Sequence, residues 1–583
     1  MKSEHNWLAL DFETSDQNVY TCKIDRCCLS TGIVKQDISW RGIGNQSYTL
    51  DEAITTHKDI PLLAHNAKFE LHILRRLGIN PTQPIHDTML MAKHWKNNLP
   101  AYDLKSLSWW LFGDLYTPLT KLREWIHKHN INGEDDIEFD MTQCPDKLVH
   151  DYCTHDVEMT LRIANKLYPL VKDNYAYQQD IETITLVQEM ESRGIMADVQ
   201  YYKNFIRKGA RRVQYNTNVA KEQLGIANGN RKPTGNVLRD HLAGRGEGRC
   251  TATGLIKTDD TVLRDHKDSR AVRAVGRIRS DQKEIKTYAQ NILAVTDSRG
   301  IFHPNLMQSA AITRRFKSAG FFGSNGITAK GNTQNFPRGK GIRSGITVPK
   351  GYTFVKMDLA SIEARLASHA MSLFLDFNFY CEKYTANNKF NMYLHVLHEY
   401  TEHKNATKKD AIYTAYKHAC LGIQYGVGIE TFHKTLVDNF ELPYSLEECN
   451  HIYATIRKKC PEFSALQRAV SSIIESQGYI TDDFGAVYYV PEEEKYKGVN
   501  HYCQGCAGNI LKWWWIKCAE VAKKHGQDYF FNTIHDELDG AVKNDSETQR
   551  RVREYCDTLN KLDIFNLPIC AEATVGNNWG EVG

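Results

Sequence analysis

Twice in this chain an apolar run leads straight into carboxylates, and that pattern restricts the fold more than any other feature. Residues 8–10 (Leu-Ala-Leu) lead into Asp11 and Glu13, and residues 354–357 (Phe-Val-Lys-Met) lead into Asp358. Short apolar runs of this kind read as buried strands. Side chains two apart in a strand share a face, so Asp11 and Glu13 can grip one cation. Both runs are followed by segments with helical periodicity, so the expectation is a multidomain α/β protein. At 583 residues the chain exceeds what one core can organise, and length argues for about three or four domains.

Composition removes several alternatives. Apolar residues make up 42% and charged residues 25%, the balance of a folded chain, and no long low-complexity run marks a disordered tail. Net charge is +3, which neither demands nor excludes nucleic acid, because what matters is how the basic residues cluster. They cluster at Arg207, Lys208, Arg211 and Arg212, at Arg314, Arg315 and Lys317, and at Arg338, Lys340 and Arg343. With interleaved aromatics, these make a phosphate-tracking groove plausible. The 15 cysteines are scattered with no leading apolar signal segment, which predicts free thiols in a reducing cytoplasm. Cys503 and Cys506 form a lone CxxC without the second pair of a structural zinc site. No stretch approaches the length of a membrane span, so a soluble cytoplasmic protein is expected.

Two later segments extend the first acidic pair. "LLAHNAKFELHIL" puts an apolar strand before Asn66, Phe69 and Glu70 at a helix start. "YCTHDVEMTLRIA" places Tyr152 and Asp156 four apart on one helical face. Four carboxylates and a tyrosine can therefore converge, the cluster that two-metal phosphodiester hydrolysis requires.

The second set begins at Asp358 and continues in "YFFNTIHDELDGAV", the outline of a hairpin with His535, Asp536 and Glu537 at its turn. Asp358 and Asp536 are the candidate pair for phosphoryl transfer. Between them, Lys417, Leu421 and Tyr425 recur every four residues and share a helical face. A cation heads that stripe and glycines follow at 422, 426 and 428, which suits a helix facing a triphosphate with close backbone approaches.

In order and spacing these segments resemble two known groups. Residues 1–170 resemble the DEDDy proofreading exonucleases, and the rest resembles the family A DNA polymerases, of the DNA polymerase I type found also in phages. "EMESRGIMAD", "TRRFKS" with "NTQNFPR", "NHYCQGCAGNILK" and "GNNWGE" match further family segments. The resemblance implies an RNase H-like exonuclease domain joined to a right-hand polymerase. Its implied divisions are 1–170 exonuclease, 171–330 thumb and palm entry, 331–365 palm, 366–490 fingers and 491–583 palm. It assigns magnesium to Asp358 and Asp536, two ions, and two more to Asp11, Glu13, Glu70 and Asp156, with manganese as a substitute. Tyr152 would orient the attacking water, and Asn66 would lie by the excised end.

Lys417 would meet the triphosphate and protonate pyrophosphate, and Glu363 would exclude a ribose 2′-hydroxyl. Tyr425, Arg315, Asn500 and Gln504 would surround the nascent pair and minor groove, with His535 and Glu537 beside Asp536. His395 would help hold the phosphates. Partners implied are primer-template DNA and dNTPs, for a monomer replicating phage DNA in its host's cytoplasm. No 5′ nuclease domain is expected ahead of residue 1, and no thumb insertion for a processivity partner.

Three positions depart from the pattern. Glu70 stands where the family has aspartate, which implies a compensating shift or weakened excision. Tyr413 stands where a phosphate-binding arginine is usual, removing a fixed charge; Lys409, one turn back on the same face, is the expected compensation. Leu421 replaces an aromatic residue, which implies discrimination against dideoxynucleotides. Rival readings are a nuclease with a disabled synthesis site, a nucleic-acid scaffold and a single-subunit RNA polymerase.

Overall fold

In the computed structural model, residues 6–31, 38–41, 47–129, 141–226, 235–244 and 268–583 are described, with positions 258, 263 and 266. Strand β1 (Leu8–Thr14) runs past its apolar start and takes Asp11 and Glu13 into the strand itself. It is the middle of a mixed sheet, β3-β2-β1-β4-β5. β2 (Ile24–Ser30) lies antiparallel to β1 and β3 (Ile38–Arg41) antiparallel to β2, while β4 (Leu62–Ala64) and β5 (Ile85–Asp87) run parallel to β1. A central strand buried on both faces needs covering helices, and the helix Asp146–Val171 packs on β1 and β2.

A second sheet, β10-β6-β7-β8-β9, joins β6 (Ile195–Ala197), β7 (Ile301–Met307), β8 (Lys317–Phe322), β9 (Thr328–Ala329) and β10 (Ile346–Thr347). The basic helix Val199–Gln223 rises from it and packs along Arg270–Lys283. β11 (Tyr352–Leu359) belongs to the third sheet; β12 (Tyr479–Thr481) and β13 (Val487–Tyr489) form a separate hairpin. The third sheet is completed by β14 (Tyr529–Ile534), β15 (Glu537–Lys543) and β16 (Ala571–Gly576), in the order β14-β15-β11-β16. Between β11 and β14 the chain is mostly helical.

The helix Tyr175–Arg193 connects the first unit to the rest. Tyr177, Ile181 and Ile184 enter the core of the first unit, and Ala176, Val187 and Met190 enter the core around the third sheet. Its buried polar residues also face both ways. Asp180 pairs with Lys512 at 2.7 Å and with His94 at 2.7 Å, all three side chains fully buried. Glu191, three turns along, pairs with Lys68 and His72, both at 2.7 Å, and accepts from the Leu306 N–H at 2.5 Å. His94, Lys68 and His72 come from the first unit; Lys512 and Leu306 come from the rest.

The basic clusters divide on inspection. Arg207, Lys208, Arg211, Lys317, Arg338 and Lys340 are exposed. Arg314 and Arg343 are not groove residues. Arg314 is 1% exposed, bonds the Val487 carbonyl and stacks over Tyr488; Arg343 lies 4.3 Å over Trp579 and bonds the Phe336 carbonyl. Arg212 is paired with Asp281 at 2.6 Å. The charge read from sequence is therefore partly structural.

Candidate active sites

Asp358 lies near the end of β11, opposite Glu537 of β15 on one side and Glu572 of β16 on the other. Asp536 belongs to the two-residue turn between β14 and β15, where His535 adopts a left-handed conformation (φ 55°). The Leu359 N–H donates to the Asp536 carbonyl at 3.2 Å, fixing the turn against the strand end. Burial, then the charge of Asp536, then that of Glu537, raises Asp358 to about 7. A carboxyl raised in part by a second acid beside it suits a cation that would neutralise both, and the donor set fits a divalent ion. Glu537 is differently engaged: Oε2 pairs with Lys356 at 3.1 Å and Oε1 accepts from Trp579 Nε1 at 3.2 Å.

A polar chain flanks this pair. Arg315 Nη1 donates to Gln504 Oε1, and Gln504 Nε2 donates to Glu363 Oε1 at 2.7 Å. Glu363 is in the first turn of the helix Ile362–Leu375, and Gln504 and Asn500 lie one turn apart on the helix Gly498–His525. Tyr425 follows the helix Ala411–Gln424, and burial, then Cys503 and Glu363, hold its hydroxyl in the protonated form. Lys417 is half-buried and has no ion-pair partner among the described residues. Leu421 is buried, at 8% exposure.

Several residues in this region have surroundings that their spacing did not show. Tyr413 is buried and its hydroxyl accepts from Asn391 Nδ2 at 3.3 Å, so it braces the neighbouring helix Met392–Tyr400. Lys409 precedes the helix, which starts at Ala411, and lies exposed in the capping turn, so it does not continue the Lys417 face. His395 is packed among rings, with Phe379 and Phe390 both at 5.5 Å. Tyr393, two residues earlier, is the side chain from that segment that feels Glu363 and Tyr425; nothing in its spacing distinguished it. The glycines also differ in role. A side chain at 422 would overlap the Tyr453 hydroxyl, Gly426 has φ 73°, and Gly428 faces open space. Only packing within the helical region requires Gly422.

The first acidic set is assembled less fully than its spacing implies. Asp11, Glu13 and Cys153 bring ligand atoms within 4.8 Å of one another. Burial, then Asp156, raises Asp11 to about 7; burial, then Asp11 and Asp156, holds Glu13 well above the carboxylate range. Glu13 Oε1 is buried with no hydrogen-bond partner. An orphaned carboxylate oxygen beside a second acid fits a divalent cation. Glu70 and Asp156 stand nearby but are turned to other partners. Glu70 Oε2 accepts from the Phe12 N–H at 3.1 Å, a contact its extra methylene reaches. Asp156 accepts from the Tyr116 hydroxyl at 2.9 Å and from Lys105 Nζ at 3.1 Å. Burial opposes the charge on Lys105, but Asp156, Glu13 and Asp11 raise it on balance. Tyr152 is buried with Lys105 Nζ 5.0 Å from its ring centre.

Asn66, in a left-handed conformation (φ 65°), opens the helix Ala67–Arg76; its N–H and that of Ala67 donate to Asp87. Lys105 and Tyr116 arrive from segments with no signal beyond ordinary helix and turn chemistry. Cys153 had one available signal, its place beside Tyr152.

Comparison with known proteins is consistent for both halves. Residues 200–581 match the family described as DNA polymerase family A, and residues 1–172 match that described as 3′-5′ exonuclease. The chain is 23% identical to DNA polymerase I of Chloroflexus aurantiacus over 98% of its own length and 61% of that protein's. It is 21% identical to DNA polymerase I of Borreliella burgdorferi, over 99% of its own length and 62% of that protein's. It thus spans about three-fifths of these relatives. A solved structure described as the POL domain of Pol1 from M. smegmatis in complex with DNA primer-template and dNTP matches with a TM-score of 0.75 at 18% identity, covering 100% of this chain and 97% of that one. No described helix is long and apolar enough to cross a membrane.

Proposed function

Because the chain belongs to DNA polymerase family A and carries a 3′-5′ exonuclease domain, we propose that it extends a DNA primer on a template from dNTPs and excises mispaired 3′ ends at a separate site. The observation that carries this reading is the seating of the Asp536 turn against the end of β11, beside an Asp358 carboxyl that burial first, and then the charge of Asp536, raise to about 7. Asp358 and Asp536 would hold the divalent ions of synthesis, magnesium or manganese; Asp11 and Glu13, with Glu70 and Asp156 after release from their present partners, would hold those of excision. Bound there, such ions activate an oxygen nucleophile and neutralise the leaving group.

The remaining work falls to side chains. Lys417 Nζ meets the triphosphate and gives its proton to departing pyrophosphate. The carboxylate of Glu363, fixed by Gln504, fills the space a 2′-hydroxyl would need and selects dNTPs. Arg315 holds Gln504 from the other side and, with Asn500 and Tyr425, lines the position of the nascent pair. Tyr152 is the residue to orient water in excision. His535 and Glu537 shape the Asp536 turn. The relatives are bacterial, so the phage origin implied by the resemblance draws no support from them.

A primer-extension assay with dNTPs, with rNTPs and without nucleotide tests the proposal. Extension should require dNTPs, and shortening should appear without nucleotide. Asp536→Asn should lose extension by about a thousandfold and keep shortening, while Asp11→Ala should do the reverse. One variant losing both activities would contradict two independent sites.

A further inference from the structure

Cys153 lies one residue after Tyr152 on the helix Asp146–Val171 and is fully buried. Its thiol donates toward Asp11, with Sγ 3.5 Å from Oδ2 and 3.6 Å from the backbone carbonyl. A tetrahedral ion with oxygen ligands at roughly 2.1 Å and sulfur at roughly 2.3 Å separates those two donors by about 3.6 Å. The observed Sγ to Oδ2 spacing of 3.5 Å therefore matches the edge of such a site. Glu13 provides the third corner: its ligand atom lies within 4.8 Å of the other two.

A second feature of the same cluster suits a cation. Glu13 is 7% exposed and its Oε1 has no hydrogen-bond partner. On the far side of the cluster both oxygens of Asp156 are taken by Tyr116 and Lys105. The open donors are thus two carboxylates and a thiol. Hard ions such as magnesium avoid sulfur, whereas zinc and cadmium accept it readily.

We propose that Cys153 is a metal ligand that makes the excision site trap thiophilic divalent ions, zinc or cadmium, through Asp11, Glu13 and the Cys153 sulfur, and that this ion blocks excision. On binding, the S–H bond breaks, a metal–sulfur bond forms and the proton passes to solvent; nothing is oxidised or reduced. The inference rests on the reading that Asp11 and Glu13 form the metal end of the excision site. It strengthens the preference for zinc beyond that of a carboxylate set alone, because a thiolate is a soft ligand that zinc and cadmium accept and magnesium avoids.

The test uses cadmium chloride added to the full chain. Cadmium should produce a thiolate-to-metal charge-transfer absorption, and Cys153→Ser should lose about one equivalent of it. Excision in magnesium should be inhibited by zinc at a concentration about tenfold lower in the wild type than in Cys153→Ser, each scored against its own uninhibited rate. Primer extension by the same preparations reports that the chain is folded, and Cys153→Ala replaces the serine variant if that one is not.

Equal absorption and equal zinc sensitivity in wild type and both variants would overturn the proposal. Asp11→Asn separates it from the broader reading. Loss of magnesium-supported excision in that variant, alongside unchanged cadmium absorption in Cys153→Ser, removes the thiol ligand and leaves the excision site standing. Normal excision in Asp11→Asn removes the excision site as assigned and the thiol proposal with it.

Discussion

Asp358 holds its proton to about 7 in the folded chain against 3.8 for an ordinary aspartate. The native state therefore binds more protons than the unfolded one between these values, and without divalent ions stability falls as pH rises through that window and stays reduced above it. Asp358→Asn should accordingly raise the metal-free thermal midpoint by a few degrees at about pH 8 and make no difference near pH 4. A lower midpoint for the variant at the alkaline end would sink this account. Glu70 allows a cleaner separation of roles. Glu70→Gln keeps an oxygen for the Phe12 N–H and loses the charge, so excision should drop about a hundredfold without a fall in the midpoint if Glu70 reaches the metals when they bind; full excision would show that it is only a brace. Of these residues, Asp11, Glu13, Asp358 and Asp536 were legible in the sequence because strand alternation and hairpin chemistry are local rules. Lys105, Tyr116 and Cys153 were not, because their roles come from side chains meeting across the domain. The partner that an extra methylene on Glu70 would find is likewise a tertiary fact.

The helix Ala411–Gln424 shows what periodicity can and cannot decide. The Lys417, Leu421 and Tyr425 stripe is on a real helix, but its upstream end is set by a capping turn before Ala411, which detaches Lys409 from the stripe. The glycine at 422 was legible as a close approach and not as to what approaches. There the neighbour is Tyr453 of the helix Leu446–Lys459, whose hydroxyl also bonds the Val427 carbonyl at 3.3 Å. Gly422→Ala should destabilise the chain by about 1 to 3 kcal/mol. Tyr453→Phe, by removing the obstructing oxygen, should restore part of that loss in the double variant. Additive losses in thermal unfolding would mean that the strain lies elsewhere.

At the scale of the whole molecule, the α/β class and strands of the first and third sheets follow from apolar runs and their spacing, whereas the second sheet and the junction between the units do not. Asp180 and Glu191 read as ordinary acids on an amphipathic helix, yet each is buried against partners from both sides. Lys512→Met leaves the Asp180 charge with the Ser309 hydroxyl and with His94, whose own protonation burial opposes, and should cost about 3 to 5 kcal/mol in denaturant unfolding. A neutral result would show that the pair is dispensable. While both clamps hold, the described residues keep the two acidic centres at a set separation. On the function proposed above, a primer end would then have to travel between them, and the number of base pairs it must melt to do so would set the balance of copying and editing.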